Sequence, residues 1–344
     1  MNRRFKEKKF IVALLVTHTK IVGVLASPHG KILCNSPKPF KDFSDSLPYQ
    51  MGSMLSYLEQ DFLERTGLPN WQFSASIGAI VVSHTGAPSV GLCQRLRERL
   101  DSIGWTSNCH LQIQSEAETA LAGLGERDDI NAPGIAISSG TICTVAVRGT
   151  NFKLICSGGH IPGIDDDGGA YHIGRLVLKY AIDVVENKRT FPDCLREYLI
   201  SDSRGPTIED LVQWARFLPS ERKFQFVAEL AMTVDQACKN GDKYAKGILE
   251  EVGKRIVKKV DECVNLIGIN NLPKPIPLAL VGGVLRGSAH MRNYIVSNLE
   301  SKLGSVTNNT FKDHVILGAV KLGSALLRND SSASIKLLSF PHGK

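Results

Sequence analysis

The chain has 344 residues, of which 43% are hydrophobic and 22% are charged, a composition typical of a soluble globular protein with one large or two medium domains. No run approaches the roughly 18 apolar residues of a membrane-spanning helix, and the basic start MNRRFKEKKF, with no apolar signal segment after it, is expected to be a solvated tail. The net charge of +7 is diffuse, without lysine or arginine clusters interleaved with aromatic residues, so neither a membrane nor a nucleic acid partner is expected.

The first part of the chain predicts three successive strands followed by alternating helices and strands. The predicted strands are 10–17, 20–27, 31–36, 74–82 and 109–114, and the predicted helices are 44–67, 88–104 and 115–125. The later strands are apolar on both faces, as parallel strands covered by helices should be.

The second part repeats this plan. The predicted strands are 134–139, 141–149, 152–158 and 275–283, and the predicted helices lie within 168–268 and at 288–304 and 315–327. The tight connections between the first three strands indicate a meander, and the helices carry apolar residues at i, i+3 and i+4.

A strand meander followed by helices and strands, present twice, predicts two similar α/β domains that face each other across a ligand cleft. We place the N-terminal domain at 1–125 and the C-terminal domain at 126–344. The second domain is expected to carry a helical insert at about 191–241, which is also the first candidate for a protein interface. Its last helix, 314–328, is expected to pack back near the first domain.

The eight cysteines are scattered without a CxxC pair. This pattern favours reduced thiols and a cytoplasmic location over a disulfide framework or a zinc site. The histidines stand alone, without the spacing of metal ligands, so they do not predict a metal site either.

Several segments, in order and along nearly the whole chain, resemble the N-acetylglucosamine kinase group and its BadF/BadG/BcrA/BcrD ATPase relatives within the actin-like ATPase superfamily. They are SEAETAL, ISSGT, SGGH, DDDGGAYHIG, LVGGVLRGS and ILGAVKLG. The resemblance implies two ribonuclease-H-like domains, ATP and Mg²⁺ as cofactors, and phosphoryl transfer to an amino sugar hydroxyl.

The turn between the first two strands matches the first phosphate loop of this family only in part. The family has an acid, glycines, a threonine and a basic residue. This turn keeps the threonine and the basic residue as Thr19 and Lys20, has a further hydroxyl at Thr17, and has neither acid nor glycine. The chain has no Asp or Glu between Glu7 and Asp42, so a shifted alignment cannot supply the acid. Either the hydroxyls and the lysine bind a phosphate, or the segment is a plain hairpin turn.

Glu116 stands where the family has the aspartate that acts as general base on the sugar hydroxyl. Because glutamate is one methylene longer, its carboxylate would have to lie about an ångström further back to keep the sugar hydroxyl within hydrogen-bond distance. The alternative interpretation is structural: Ser115 caps the following helix, and Glu116 and Glu118 complement its positive end.

The segment ISSGTICT resembles the second phosphate hairpin and one wall of the sugar site. Ser139 is then a nucleotide contact, and Gly140 and Thr141 are substrate contacts. Thr144 stands in place of an asparagine that would hold a sugar hydroxyl, although Ser-Gly-Thr is also a common turn.

The segment SGGHIPGIDDDGGAYHIG resembles the rest of the sugar site. The resemblance makes Gly159, His160 and Asp166 substrate contacts, with His160 where the family usually has tryptophan. Asp166 and Asp167 are candidate Mg²⁺ ligands. The aspartates could instead cap the helix that begins near Gly169.

The last resemblance concerns the nucleotide. Gly282 and Gly283, between a buried strand and a helix, match the glycines that let adenine and ribose approach the backbone, and Gly318 matches a closing helix near the nucleotide. Such glycines also occur for packing alone.

Two functions stay open. The chain is an active N-acetylhexosamine kinase that takes a nucleotide and an amino sugar, or it is an inactive pseudokinase that senses a sugar or nucleotide or binds a protein. A homodimer or a regulatory protein partner is compatible with both.

Overall fold

The computed structural model describes residues 10–17, 20–38, 47–66, 73–102, 109–126, 129–161, 163–165, 167–186, 188, 193–200, 205–218, 220–309 and 314–328. Two of the predicted site residues, Thr19 and Asp166, lie outside these ranges. Among the helices of the described part, none is both long and apolar enough to cross a membrane.

The described residues form two compact units. The first runs to Pro133 and includes the last helix, and the second begins at Gly134 and ends before that helix. The predicted boundary after Gly125 falls in the loop that follows the fourth helix, so the first unit extends beyond it.

The elements of the first unit follow the predicted order. They are β1 Phe10–Val16, β2 Ile21–Ala26, β3 Ile32–Lys38, α1 Leu47–Thr66, α2 Phe73–Ser76, β4 Ile77–His84, α3 Val90–Ser102, β5 His110–Ser115, α4 Glu116–Leu124 and the last helix of the chain, α12 His314–Leu327. The predicted strand at 74–82 begins instead with the single turn α2, and β4 starts at Ile77.

The first sheet has the strand order β3-β2-β1-β4-β5. Strand β1 is antiparallel to β2 and parallel to β4, and β4 is parallel to β5. The carboxyl ends of β1, β4 and β5 therefore lie together at one edge of the sheet.

Both faces of this sheet are buried, which explains why β1 is apolar throughout. Successive side chains of a strand alternate between faces, so Val12 and Leu14 join the core under α1 and α3, whereas Ile11 and Ala13 join the core under α12. Each fully buried aliphatic side chain of this kind contributes roughly 1.5–3 kcal/mol.

The second unit contains the remaining elements. They are β6 Gly134–Ser139, β7 Cys143–Arg148, β8 Leu154–Ser157, α5 Ala170–Val185, α6 Asp193–Leu199, α7 Ile208–Phe217, α8 Ser220–Lys239, α9 Lys243–Ile267, a 3-10 turn Ile269–Asn271, β9 Ile276–Val281, α10 Gly283–Gly287, α11 Ala289–Leu303 and β10 Val306–Asn309. The predicted insert at about 191–241 corresponds to α6, α7 and α8.

The second sheet repeats the topology of the first. Its order is β10-β9-β6-β7-β8, with β6 antiparallel to β7, β7 antiparallel to β8, and β6, β9 and β10 parallel. The prediction of one plan used twice is confirmed. Strand β10 was not predicted, because its four residues VTNN carry little apolar signal and it pairs only with β9.

Candidate functional site

Three residues that follow the parallel strands of the first sheet lie next to one another at its carboxyl edge. In the strand register, Val16 pairs with His84 and His84 pairs with Ser115. The residues directly after these are Thr17, Thr85 and Glu116. The Thr85 N–H donates to the Val16 carbonyl at 2.9 Å, which continues the β1–β4 pairing one residue beyond the strands.

The turn between β1 and β2 is closed by Thr17 and Lys20. The Thr17 N–H and hydroxyl both donate to the Lys20 carbonyl at 2.9 Å, and the Lys20 N–H donates to the Thr17 hydroxyl oxygen at 3.0 Å. The Lys20 amide is therefore already engaged within the turn. This geometry favours the plain hairpin interpretation for Thr17 and the Lys20 backbone. Thr19, the other predicted phosphate contact, lies outside the described residues.

Glu116 is buried at the start of α4, with 4% of its surface exposed. The helix is capped without it. Ser115 accepts from the Glu118 N–H at 3.2 Å, and the Glu118 carboxylate accepts from the Ser115 N–H at 3.0 Å and from its hydroxyl at 2.7 Å. This reciprocal capping box satisfies the end of the helix, so capping does not account for the carboxylate of Glu116.

The Glu116 carboxylate instead reaches towards β4. Its Oε2 lies 3.5 Å from the Thr85 hydroxyl, which donates to it, and only 3% of Thr85 is exposed. Burying a carboxylate costs free energy unless hydrogen-bond donors compensate. Glu116 is thus a buried acid at a sheet edge, which is the environment in which a carboxylate can serve as a proton acceptor.

His84 and Thr85 were missed by the sequence analysis. Burial lowers the pKa of His84, and a contact with the Gly86 backbone raises it to a smaller extent, so the imidazole is neutral at pH 7. The available signal was this polar pair, with His84 as the last residue of the buried strand IGAIVVSH and Thr85 directly after it. Its relevance depends on β4 lying between β1 and β5, which no local pattern reveals.

In the second unit, the hairpin between β6 and β7 is fixed onto the start of α5. The Gly140 and Thr141 carbonyls accept from the N–H groups of Ala170, at 2.8 Å, and Tyr171, at 3.0 Å. The Ser139 hydroxyl donates to the Gly168 carbonyl at 2.6 Å. The hairpin carbonyls rather than aspartates therefore satisfy these first N–H groups of α5. Gly140 and Thr141 are partly exposed.

Thr144 lies in β7 opposite Ser138 and is buried, with 4% of its surface exposed. Its side chain is thus part of the interior of the second unit in this conformation. A sugar hydroxyl would need an opening beside β7 to reach it.

The loop after β8 is organised by Asp165. Its carboxylate accepts from the N–H groups of His160 at 3.0 Å and Ile161 at 2.7 Å, and Lys259 donates to its carbonyl. Gly159 is buried in this loop with a φ of 84°, whereas the side chain of His160 is exposed. The Asp165 carboxylate therefore holds the backbone of this loop through hydrogen bonds, while the His160 side chain is open to solvent.

Asp167 lies beside a buried histidine. The Gly168 N–H donates to His172 Nδ1 at 3.2 Å, and Asp167 Oδ1 is 3.6 Å from His172 Nε2. Since Nδ1 accepts, the proton of the neutral ring belongs on Nε2, which faces the carboxylate. Asp166, the other candidate metal ligand, lies outside the described residues.

The two glycines after β9 differ in their surroundings. Gly282 has a φ of +94°, and a Cβ atom there would lie 2.3 Å from the Ser139 carbonyl oxygen, so its backbone packs directly on β6. A Cβ atom on Gly283 would meet nothing within 4 Å. The start of α10 therefore borders open space, into which a ligand could fit.

Gly318 lies in the first unit and packs against α4. A Cβ atom there would lie 1.9 Å from the Thr119 carbonyl oxygen, and one on Gly123 would lie 2.3 Å from that of His314. These contacts give Gly318 a role in the close crossing of α4 and α12.

Over the described residues, no group of three His, Cys, Asp or Glu side chains could hold a metal ion. However, Mg²⁺ commonly uses only one or two carboxylates together with phosphate and water. Asp167 is therefore a chemically suitable donor.

Comparison of the structure with known proteins finds the same fold in several proteins named as sugar kinases. A protein from Chromobacterium violaceum provisionally named an N-acetylglucosamine kinase superposes with a TM-score of 0.62 at 15% identity, covering 93% of this chain and 98% of its own. A protein with the same provisional name from Porphyromonas gingivalis gives 0.59 at 17%, covering 93% and 99%. The chain has the actin-like ATPase fold.

A third similar structure, a ROK family glucokinase from Streptomyces griseus in complex with glucose and AMPPNP, gives a TM-score of 0.52 at 13% identity and covers 94% of this chain and 99% of its own. No family model matches the sequence. No curated protein matches it significantly. The predicted fold is confirmed, and at these identities the similarity concerns the fold alone.

Proposed function

We propose that this protein is a sugar kinase that transfers a phosphoryl group from ATP to a hydroxyl of an amino sugar of the N-acetylglucosamine type. The observation that carries the proposal is the buried Glu116 carboxylate at the carboxyl edge of the first sheet, which the capping of α4 does not explain. The kinase names of the two similar proteins support the substrate class, and the glucokinase complex supports the use of a nucleotide.

In this proposal, Glu116 accepts the proton of the attacking sugar hydroxyl. A base that is fixed within hydrogen-bond reach of the nucleophile contributes typically 10²- to 10⁴-fold to the rate. ATP supplies the transferable phosphoryl group when it is bound. The protein then has to bind both molecules, hold them in line and exclude water.

The remaining roles follow the resemblance. Ser139, Gly282 and Gly283 would contact the nucleotide, together with Thr17, Thr19, Lys20 and Gly318. Gly140, Thr141, Thr144, Gly159, His160 and Asp166 would contact the sugar, and Asp166 and Asp167 would hold Mg²⁺. Within this set, the open space at Gly283 best supports a role in ligand binding.

A second function is a kinase-like protein that binds ligand without turnover. The observation that favours it is the β1–β2 turn, where Thr17 and Lys20 satisfy each other and no acid lies between Glu7 and Asp42. A carboxylate at this turn would help hold Mg²⁺ against the phosphates, and its loss removes charge neutralisation that phosphoryl transfer needs.

Thermal unfolding separates these functions. A ligand at 100 times its dissociation constant stabilises the native state by about 2.7 kcal/mol, so we expect a melting shift with Mg-ATP, N-acetylglucosamine or both. A shift with both ligands and sugar-dependent release of ADP support the kinase. A shift without turnover supports the binding protein, and no shift with either ligand excludes both functions.

Glu116→Gln is the matched variant for the turnover assay. It keeps the size of the side chain and removes the basic carboxylate, so we expect loss of turnover with nearly unchanged ATP affinity. Unchanged turnover would remove Glu116 from the mechanism.

A further inference from the structure

Thr85 follows β4 and lies between the β1–β2 turn and Glu116, and neither the resemblance nor the proposed roles use it. We infer that Thr85 is a positioning residue that orients the Glu116 carboxylate at the carboxyl edge of the first sheet. The catalytic consequence of this inference rests on the proposed function, whereas the contact between the two side chains can be tested without it.

Thr85 is itself held firmly. Its N–H donates to the Val16 carbonyl at 2.9 Å, so its backbone continues the ladder of two parallel strands. Only 3% of the residue is exposed, and a β-branched residue has few χ1 rotamers. The hydroxyl is therefore attached to a rigid part of the sheet, as a group that orients another side chain should be.

The Glu116 side chain has three rotatable bonds, so a rigidly held donor restricts the orientation of its carboxylate. The capping box of α4 is complete with Ser115 and Glu118, so it does not restrain the carboxylate of Glu116. The Thr85 hydroxyl donates to Glu116 Oε2 at 3.5 Å, which draws the carboxylate back towards the end of β4. Catalytic hydrogen bonds that are long in a ligand-free state commonly shorten when the substrate binds.

The position of the carboxylate matters for a proton acceptor. A misplacement of about 1 Å can reduce a rate by about a hundredfold. Valine has nearly the shape of threonine but lacks the hydroxyl, so Thr85→Val removes the donor with little change of volume. Serine keeps the donor and loses only a methyl group.

The first test is a double-mutant cycle in melting temperature, with Thr85→Val, Glu116→Ala and the double variant. We expect Thr85→Val to lower the melting temperature by about 2–4 °C, the shift typical of a stability change near 1 kcal/mol in a unit of this size. In the Glu116→Ala background the same change should have little effect. Additive effects would overturn the inference, and Thr85→Ala replaces Thr85→Val in the cycle if the latter does not fold.

The second test is turnover with ATP and N-acetylglucosamine. We expect Thr85→Val to reduce kcat by about ten- to a hundredfold with the KM for ATP unchanged, and Thr85→Ser to recover most of that loss. The acid limb of the pH–rate profile should move to higher pH in Thr85→Val, because a carboxylate that loses a donor is protonated more easily.

The two tests distinguish failure of the proposed function from failure of the inference about Thr85. If the wild type shows no turnover with any amino sugar, the proposed function is wrong, but the melting cycle still decides whether Thr85 holds Glu116. If turnover is present and Thr85→Val retains it fully, Thr85 is not a positioning residue for this reaction.

Discussion

Replacing Gly282 and Gly283 by alanine, one at a time, distinguishes a glycine needed for packing from one that borders a ligand space. At Gly282 the φ of +94° disfavours any side chain, and the new Cβ would lie 2.3 Å from the carbonyl oxygen of Ser139. Backbone strain of this kind costs about 1–3 kcal/mol, and overpacking adds about 1–3 kcal/mol. We therefore expect Gly282→Ala to destabilise the protein by about 2–6 kcal/mol.

At Gly283 the new Cβ meets nothing within 4 Å, and alanine is the better helix former by up to about 1 kcal/mol. We expect Gly283→Ala to melt at or slightly above the wild-type temperature. Gly282→Ala should melt lower by roughly 4–24 °C, at about 2–4 °C for each kcal/mol. Circular dichroism at 222 nm measures both.

The same pair of variants tests the nucleotide site. If adenine or ribose lies against the start of α10, the added methyl group of Gly283→Ala reduces the melting shift that Mg-ATP produces, although the fold is intact. If Gly282→Ala melts like the wild type, the backbone at Gly282 tolerates a side chain and its close packing on Ser139 does not require glycine. An undiminished ATP-induced shift in Gly283→Ala removes this glycine from the nucleotide site.

Three further predictions concern stability. Phe152 has a φ of 61° at an exposed turn, so Phe152→Gly should raise the melting temperature by a few degrees at about 0.5–1 kcal/mol, and a lower value than in Phe152→Ala would contradict this. Lys321 donates to the Gly125 carbonyl, so Lys321→Met should cost about 1 kcal/mol by chemical denaturation, and an unchanged midpoint would mean that the contact contributes nothing. Burial raises the pKa of Cys263 from 9.0 to about 11. Its contribution to stability is therefore present below pH 9 and lost as the pH rises to about 11, so the fall in melting temperature over that range should be smaller in Cys263→Ala.

The repeated strand plan was predictable because it depends on local hydrophobicity. Strands such as Phe10–Val16 and Ile77–His84 are buried on both faces, and their sequences are correspondingly apolar without alternation. Strand β10 was not predictable in this way. Its residues Val306–Asn309 are held by parallel pairing with β9, a partner about 30 residues away that no local pattern identifies.

A residue of the candidate site was predictable only where a single segment of the sequence was sufficient to identify it. Glu116 was found through the resemblance of the segment SEAETAL to the family, in which an acid follows this strand and opens the helix. Thr85 was not, because its contact with Glu116 depends on the order of strands in the sheet, which brings together residues 31 positions apart. Likewise, the closure of the Thr17–Lys20 turn by the Thr17 hydroxyl is a matter of side-chain geometry, and threonine at this position is also compatible with phosphate binding.

The placement of α12 has a consequence for synthesis of the chain. One face of the first sheet is covered by this helix, whose Ala319, Val320 and Leu322 pack with Ile11 and Ala13. A domain usually folds as it leaves the ribosome, the N-terminal one first. Here the earliest strand emerges some three hundred residues before its cover, whereas the second unit is continuous in sequence and complete before α12 is made. The second unit can therefore complete its fold before the first. Until α12 is made, the face of β1 that α12 will cover has to be shielded from water by other parts of the chain or by a chaperone.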